Sequence, residues 1–281
     1  MLTESDKTTA SLLAEKWKVS PDIHPDDYIF QFIYQLPKFA SNKEAAIHHY
    51  FNNGWNSASQ LSAILKEICK YDPQQNLSLL EFASGYGCVT RHLKNVLPSV
   101  KVTACDIHAE ATNFIREKLN VNAILSASVP EQLSAAEKFD VVFALSFFSH
   151  MPETTFERWL RKLASLVQPG GYLIFTTHGF ISSTILPGVE FDKNGFWFRA
   201  RSEQKDLSVS EYGMACTLPK YVFSRLFRNQ HWNVRFFQEG YWWAHQDLYV
   251  VKIQEINNVS VKRGTLKTRV KKYVNRLRGR A

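Results

Sequence analysis

The chain has 281 residues, 45% of them hydrophobic and 14% aromatic, enough for one sizeable core with at most a small appendage. Its net charge of +8 sits at one end: nine Lys and Arg and no carboxylate lie between Lys262 and Arg280, and subtracting those nine leaves the remainder at −1. The body is therefore near neutral, which argues against a broad nucleic-acid-binding surface. No apolar run approaches the roughly 20 residues of a membrane-spanning helix. The opening residues lack the basic-then-apolar pattern of a secretory signal, so the expected location is cytoplasmic. Cys69, Cys88, Cys105 and Cys216 form no CxxC pair and no metal-ligand spacing, and read as reduced thiols.

Residues 1–76 read as a helical region punctuated by Pro21, Pro25 and Pro37, with helices expected over 41–50 and 57–71. From Leu77 onward, short apolar runs alternate with amphipathic helices, the pattern of a sheet covered on both faces. Strands are expected over 78–82, 101–107, 122–126, 139–145, 172–177, 233–238 and 247–253. Helices are expected over 89–96, 109–119, 154–167 and 219–228. The fold expected is a doubly wound α/β domain with a mostly parallel seven-stranded sheet and an antiparallel last strand. The connection over 180–218 is too long for a plain loop and reads as a functional insertion. Only 239–246 separates the last two strands, too little for a parallel crossover, so they should form a hairpin. Its turn, in EGYWWAHQD, would then lie at the carboxyl edge of the sheet, where ligands of open α/β sheets bind.

The first strand leads through Glu81 into Ala83-Ser84-Gly85-Tyr86-Gly87 and a helix. Two glycines permit a tight turn and close backbone approach, and a helix N-terminus favours a ligand carboxylate. Such a turn alone occurs in many α/β proteins. Asp106, ending the second strand 19 residues after Gly87, adds a carboxylate placed for ribose hydroxyls. A dinucleotide site would need glycine where Thr90 stands, and Glu81 would repel a pyrophosphate while attracting a methionine ammonium. S-adenosylmethionine is the better fit.

The segments SLLEFASGYGCVTRHL, VTACDIHAEA, FDVVFALSFFSHMP and LVQPGGYLIFTTHG resemble, in order and spacing, the successive motifs of class I S-adenosylmethionine-dependent methyltransferases, over roughly 77–253. ASGYG, SHMP, TTHG and the late HQD are similar to bacterial members that accompany glycosyltransferases in surface-polysaccharide pathways. The resemblance implies Glu81, Ala83, Gly85 and Gly87 around the methionine moiety, Asp106 on the ribose, and Ile107, Ser126 and Leu145 around the rest of the cofactor. The acid that often binds the adenine amino group is absent, with SASVP in its place. N-terminal helices over 1–76 would close the pocket, with Tyr50 and the Trp55 region as lid. The methyltransferase domain would span 77–256, followed by a tail over 257–281.

An oxygen acceptor must lose its proton, and His150, His178 and His245 stand at edges where a general base could sit, with Asp247 able to orient one of them. Each also has a structural reading: His150 as a helix cap or pocket wall, Asp247 as a ligand of loop backbone. Phe196, Trp197, Phe198, Tyr241, Trp242 and Trp243 could stack on sugar rings or form core. The expectation is O-methylation of a sugar or glycan intermediate with His178 or His245 as base and no metal. The alternatives are a non-catalytic cofactor-binding scaffold in a glycan-assembly complex, or an enzyme acting on another small molecule or lipid. Nucleic acid is disfavoured because Leu145-Ser146-Phe147-Phe148 lacks the Asn or Asp-Pro-Pro-aromatic clamp of amino methyltransferases. In the tail, Leu266, Val270, Tyr273, Val274 and Leu277 form an apolar stripe amid positive charge, suited to an anionic membrane surface. A solvated tail or a weak RNA-binding arm are the alternatives there.

Overall fold

In the computed structural model, which describes residues 2–72, 74–201, 204 and 207–254, the first helix, α1 (Glu4–Trp17), begins at a capping box in which Thr3 and Asp6 satisfy each other's backbone N–H. Asp27 caps α2 (Tyr28–Gln35) and Asn42 caps α3 (Lys43–Glu67). Leu13, Ala14, Phe30, Ile33, Ile47, Tyr50 and Phe51 bury the facing sides of these three helices in one cluster.

Two separate helices were expected over 41–71; α3 is a single 25-residue helix. Gly54, inside the gap expected between them, serves close approach: a Cβ there would run into the Cys88 carbonyl and the His92 ring.

The chain divides into two compact units, Met1–Leu145 and Ser146–Ala281. The first continues with β1 (Leu77–Phe82), α4 (Thr90–Val96), β2 (Val100–Asp106), α5 (Ala109–Lys118), β3 (Asn122–Leu125) and β4 (Phe139–Ala144). β1 pairs in parallel with β2 and β4, and β2 with β3. Five of the six β1 residues are buried, which is why this strand reads as an unbroken apolar run rather than an alternating one.

The second unit holds α6 (Glu153–Ser165), β5 (Val167–His178), α7 (Phe180–Ile185), β6 (Phe196–Arg199), β7 (Met214–Thr217), α8 (Pro219–Leu226), β8 (Trp232–Trp242) and β9 (Gln246–Ile253). β9 runs antiparallel to both β5 and β8. The strand order is β3-β2-β1-β4-β5-β9-β8, the mostly parallel seven-stranded sheet expected, with helices flanking it.

The hairpin is tighter than its sequence suggested. β8 extends to Trp242, and the turn is completed by Trp243 and Ala244, both in the left-handed region at φ 50° and 59°. Within the long insertion, β6 and β7 form a two-stranded antiparallel ladder of their own. The segment 257–281 lies outside the described residues.

Candidate functional site

In the N-terminal unit, β1 delivers Glu81 to the turn, 4% exposed. The turn that follows places Ala83, Gly85 and Gly87 at φ 58°, 54° and 82°. Ala83 thus occupies a conformation that glycine adopts freely and an exposed alanine adopts at a cost of roughly 1 kcal/mol. A Cβ on Gly87 would strike the Leu119 side chain, whereas one on Gly85 would meet nothing within 4 Å. Gly87 therefore makes room for packing and Gly85 borders open space.

Asp106 ends β2 and reaches back to the turn. Its Oδ2 accepts the Gly85 N–H at 2.8 Å, and its Oδ1 accepts the His108 N–H at 3.0 Å and lies 2.9 Å from His108 Nδ1. With two partners on Oδ1 and one on Oδ2, a lone-pair direction remains on Oδ2. One ribose hydroxyl finds an acceptor at once; a second requires the His108 ring to leave Oδ1. Ile107 and Leu145 are half-buried, and Ser126 is fixed by its N–H on the Asp106 carbonyl at 2.7 Å.

Glu81 Oε2 accepts the Thr90 hydroxyl at 2.6 Å. Burial pushes its carboxyl up to about 8, against the Thr90 hydrogen bond and with added repulsion from Asp106. No cation pairs with it among the described residues. A buried carboxyl without a counter-ion, next to an open-sided glycine turn, suits the cationic methionyl end of S-adenosylmethionine. When bound, that cofactor supplies an electrophilic methyl group on sulfonium.

The sequence did not announce what covers this turn. Arg91, 5% exposed, donates to the carbonyls of Ser20 and Asp22 at 3.1 and 2.9 Å and to the Tyr50 hydroxyl at 3.2 Å. Tyr50 donates in turn to Asp27 Oδ2 at 2.6 Å. His24 stacks on Tyr86 within the turn, rings 4.4 Å apart. Tyr50 was expected as a lid residue; it is fully buried and acts from below, as an anchor for the 20–28 segment. Trp55 packs instead against Trp17 and His92.

In the C-terminal unit, the three sequence-selected histidines stand in a row. The His178 ring lies 6.4 Å from that of His150 and 5.7 Å from that of His245. His150 Nδ1 lies 2.8 Å from the Gly213 carbonyl, an acceptor, so Nδ1 carries the proton; the ring also stacks on Tyr212 at 4.4 Å. Ser182 gives its proton to the His245 carbonyl at 2.7 Å, so its oxygen accepts from His245 Nδ1 at 3.1 Å, which leaves Nε2 bare. His178 donates to the Ala215 backbone, and its buried Nδ1 has no partner. Burial, with the positive charge that His150 or His245 would carry, holds His178 down at about 3, and burial lowers His245 as well.

Asp247, fully buried, does not orient a histidine here. Its Oδ1 accepts the Gly240 N–H at 3.0 Å, the loop-backbone role. Its carboxyl also fills the space a Cβ on Gly179 would need, and burial raises it to about 7. Of the aromatics considered for sugar stacking, Phe196 and Trp242 are core at 6% and 0% exposure, while Trp243 is 38% exposed beside His245.

Residues 80–173 match the family model described as a methyltransferase domain. The chain is 31% identical over 108 residues to the tRNA N(3)-methylcytidine methyltransferase of Schizosaccharomyces pombe, covering 35% of this chain and 43% of that protein. It is 28% identical over 111 residues to the malonyl-[acyl-carrier protein] O-methyltransferase of Calditerrivibrio nitroreducens, covering 40% of each. The chain thus spans less than half the length of these curated relatives. An S-adenosylmethionine-dependent methyltransferase from Clostridium acetobutylicum superimposes with a TM-score of 0.51 at 15% identity, over 72% of this chain and 92% of that one, a likeness of fold. Residues 80–173 are thus similar to a methyltransferase domain, and they lie in a sheet whose fold is like that of an S-adenosylmethionine-dependent methyltransferase.

Proposed function

We propose that the protein moves a methyl group from S-adenosylmethionine to a hydroxyl oxygen, with a sugar or glycan intermediate as acceptor. What carries the reading is the row His150–His178–His245, in which His178 Nδ1 and His245 Nε2 have no hydrogen-bond partner among the described residues. Displacement at a sulfonium methyl is in-line, so holding the acceptor accounts for much of the acceleration. The remaining demand is a proton acceptor, worth about 10² to 10⁴ in rate. His178, held near 3, is a poor base. His245, half-buried beside the exposed Trp243, is the better one, and His178 serves as its neutral neighbour. A flat indole beside a base suits the C–H face of a sugar ring, and Tyr212 gives His150 a similar wall. The C. nitroreducens relative is named for oxygen methylation.

A tRNA acceptor is the second reading, favoured by the S. pombe relative and opposed by the absence of an amino-group clamp after β4. Association with an anionic membrane through 262–280, and with glycosyltransferases, belongs to the same proposal.

The test is transfer of labelled methyl from S-adenosylmethionine into separate pools of nucleotide sugars, lipid-linked glycans and tRNA. An alkali-stable methyl ether in a glycan, falling at least a hundredfold in His245→Ala, is expected. Label in a nucleoside, or near-normal transfer in both His178→Ala and His245→Ala at neutral pH, would overturn it.

A further inference from the structure

The three histidines ride on three different pieces of chain. His150 sits on the segment after β4, His178 ends β5, and His245 lies in the β8–β9 turn. The second and third pieces are tied by the β5–β9 ladder, in which His178 faces Gln246.

A closed ring of hydrogen bonds, two between side chains and one from the Ser146 backbone N–H, spans all three pieces. The Ser146 N–H donates to Thr176 Oγ1 at 2.8 Å, the Thr176 hydroxyl donates to Gln246 Oε1 at 2.6 Å, and Gln246 Nε2 donates to Ser146 Oγ at 2.8 Å. The directions are forced. Ser149 gives its proton to the Ser146 carbonyl, so it accepts from the Ser146 hydroxyl; Ser146 Oγ must then accept from the Gln246 amide, which turns Gln246 Oε1 toward the Thr176 hydroxyl. Ser146 Oγ passes the ring on to Ser149 Oγ at 3.0 Å, and Ser149 immediately precedes His150. Thr176 is two residues before His178, on the same face of β5. Gln246 immediately follows His245. Thr176 and Ser149 are fully buried and Gln246 is 2% exposed.

We propose that Ser146, Thr176 and Gln246 are positioning residues whose hydrogen-bonded ring fixes the three histidine-bearing segments relative to one another. This rests on the histidines acting on the acceptor. Backbone strain points the same way: Ser146 is a non-glycine residue at φ 59°, a conformation that persists where surrounding contacts over-determine it. The β5–β9 ladder runs through seven residue pairs and does not need the ring. The segment carrying His150 is the piece the ring ties to it.

The test is nitrogen-15 NMR of histidine rings in the full chain, with Thr176→Val, Thr176→Ser and Gln246→Met. In wild type and Thr176→Ser, His150 and His245 each show one fixed set of ring-nitrogen shifts at pH 7, with the proton on Nδ1. In Thr176→Val and Gln246→Met both move to averaged positions, while His24 and His92 of the N-terminal unit stay unchanged. Methyl transfer to the glycan pool falls about tenfold to a hundredfold in the same two variants, and Thr176→Ser restores it to within about threefold. Gln246→Met decides the matter should Thr176→Val fail to fold. Fixed tautomers in a folded Thr176→Val or Gln246→Met overturn the proposal. Averaged tautomers alongside full activity in the histidine-to-alanine variants support the positioning role and remove the base assignment instead.

Discussion

The Thr90 hydroxyl donates to the buried Glu81 carboxyl at 2.6 Å, in place of the glycine a dinucleotide site would have at that position. Glu81 is held at about 8, chiefly by burial. Its carboxyl is therefore mostly protonated at neutral pH, and a cationic ligand beside it would ionise it. Binding of S-adenosylmethionine at pH 7 should release close to one proton, measured as a dependence of calorimetric enthalpy on buffer ionisation. Glu81→Gln should abolish that release. Because the folded value lies above the unfolded 4.5, stability from this group is full below 4.5 and is lost as pH rises through 8. Glu81→Gln should therefore gain on wild type in thermal stability toward pH 9 while binding the cofactor more weakly.

Gly54→Ala is the sharpest test of how α3 packs. In an exposed helix the change would stabilise by nearly 1 kcal/mol. Here the added methyl collides with the Cys88 carbonyl, and overpacking should cost about 1 to 3 kcal/mol instead. Differential scanning calorimetry should record a lowered Tm; a raised one would mean that α3 stands off the turn.

His92 is fully buried and held at about 3, by burial first and then by Arg91. Its folded value is depressed, so the unfolded chain takes up a proton the folded one refuses. Stability is full above 6.5 and declines below it, at up to about 1.4 kcal/mol per pH unit, until about 3. His92→Phe should flatten part of that decline in urea titrations between pH 7 and 5. An unchanged slope would contradict the burial of this ring in its neutral form.

Arg91 holds the 20–28 segment through two carbonyls and the Tyr50 hydroxyl. Arg91→Lys keeps the charge and loses the planar fork. Limited proteolysis should then cut within 20–28 at least tenfold faster than in wild type, with the strands β1 to β4 still protected. Equal rates would show that the aromatic contacts of His24 and Tyr28 suffice.

Much of this was legible in the sequence, and the parts that were not have physical reasons. Short apolar runs between amphipathic helices announced the parallel strands, because strands buried on both faces must be apolar throughout. Only eight residues between the last two strands dictated the hairpin. The gap expected between 50 and 57 was not a gap: a glycine in a helix looks the same whether it breaks the helix or admits a neighbour, and only the tertiary contact of Gly54 with Cys88 distinguishes the two. Glu81, Gly85, Gly87 and Asp106 could be placed together from the sequence because their positions depend on local order along β1 and β2. Asp27, Arg91 and His108 were not, since what they do depends on partners that periodicity does not identify. The three histidines were found one at a time from strand ends, whereas the ring through Ser146, Thr176 and Gln246 joins residues up to 100 positions apart.

The central claim, that residues 81–106 hold S-adenosylmethionine, is tested most directly by isothermal titration of the purified protein with S-adenosylmethionine and S-adenosylhomocysteine, alongside Asp106→Ala, Glu81→Ala and an NADH titration. Micromolar binding of both sulfur compounds, lost in each variant, and no response to NADH are predicted. Binding of NADH instead, or S-adenosylmethionine binding unchanged in Asp106→Ala and Glu81→Ala, would contradict the account.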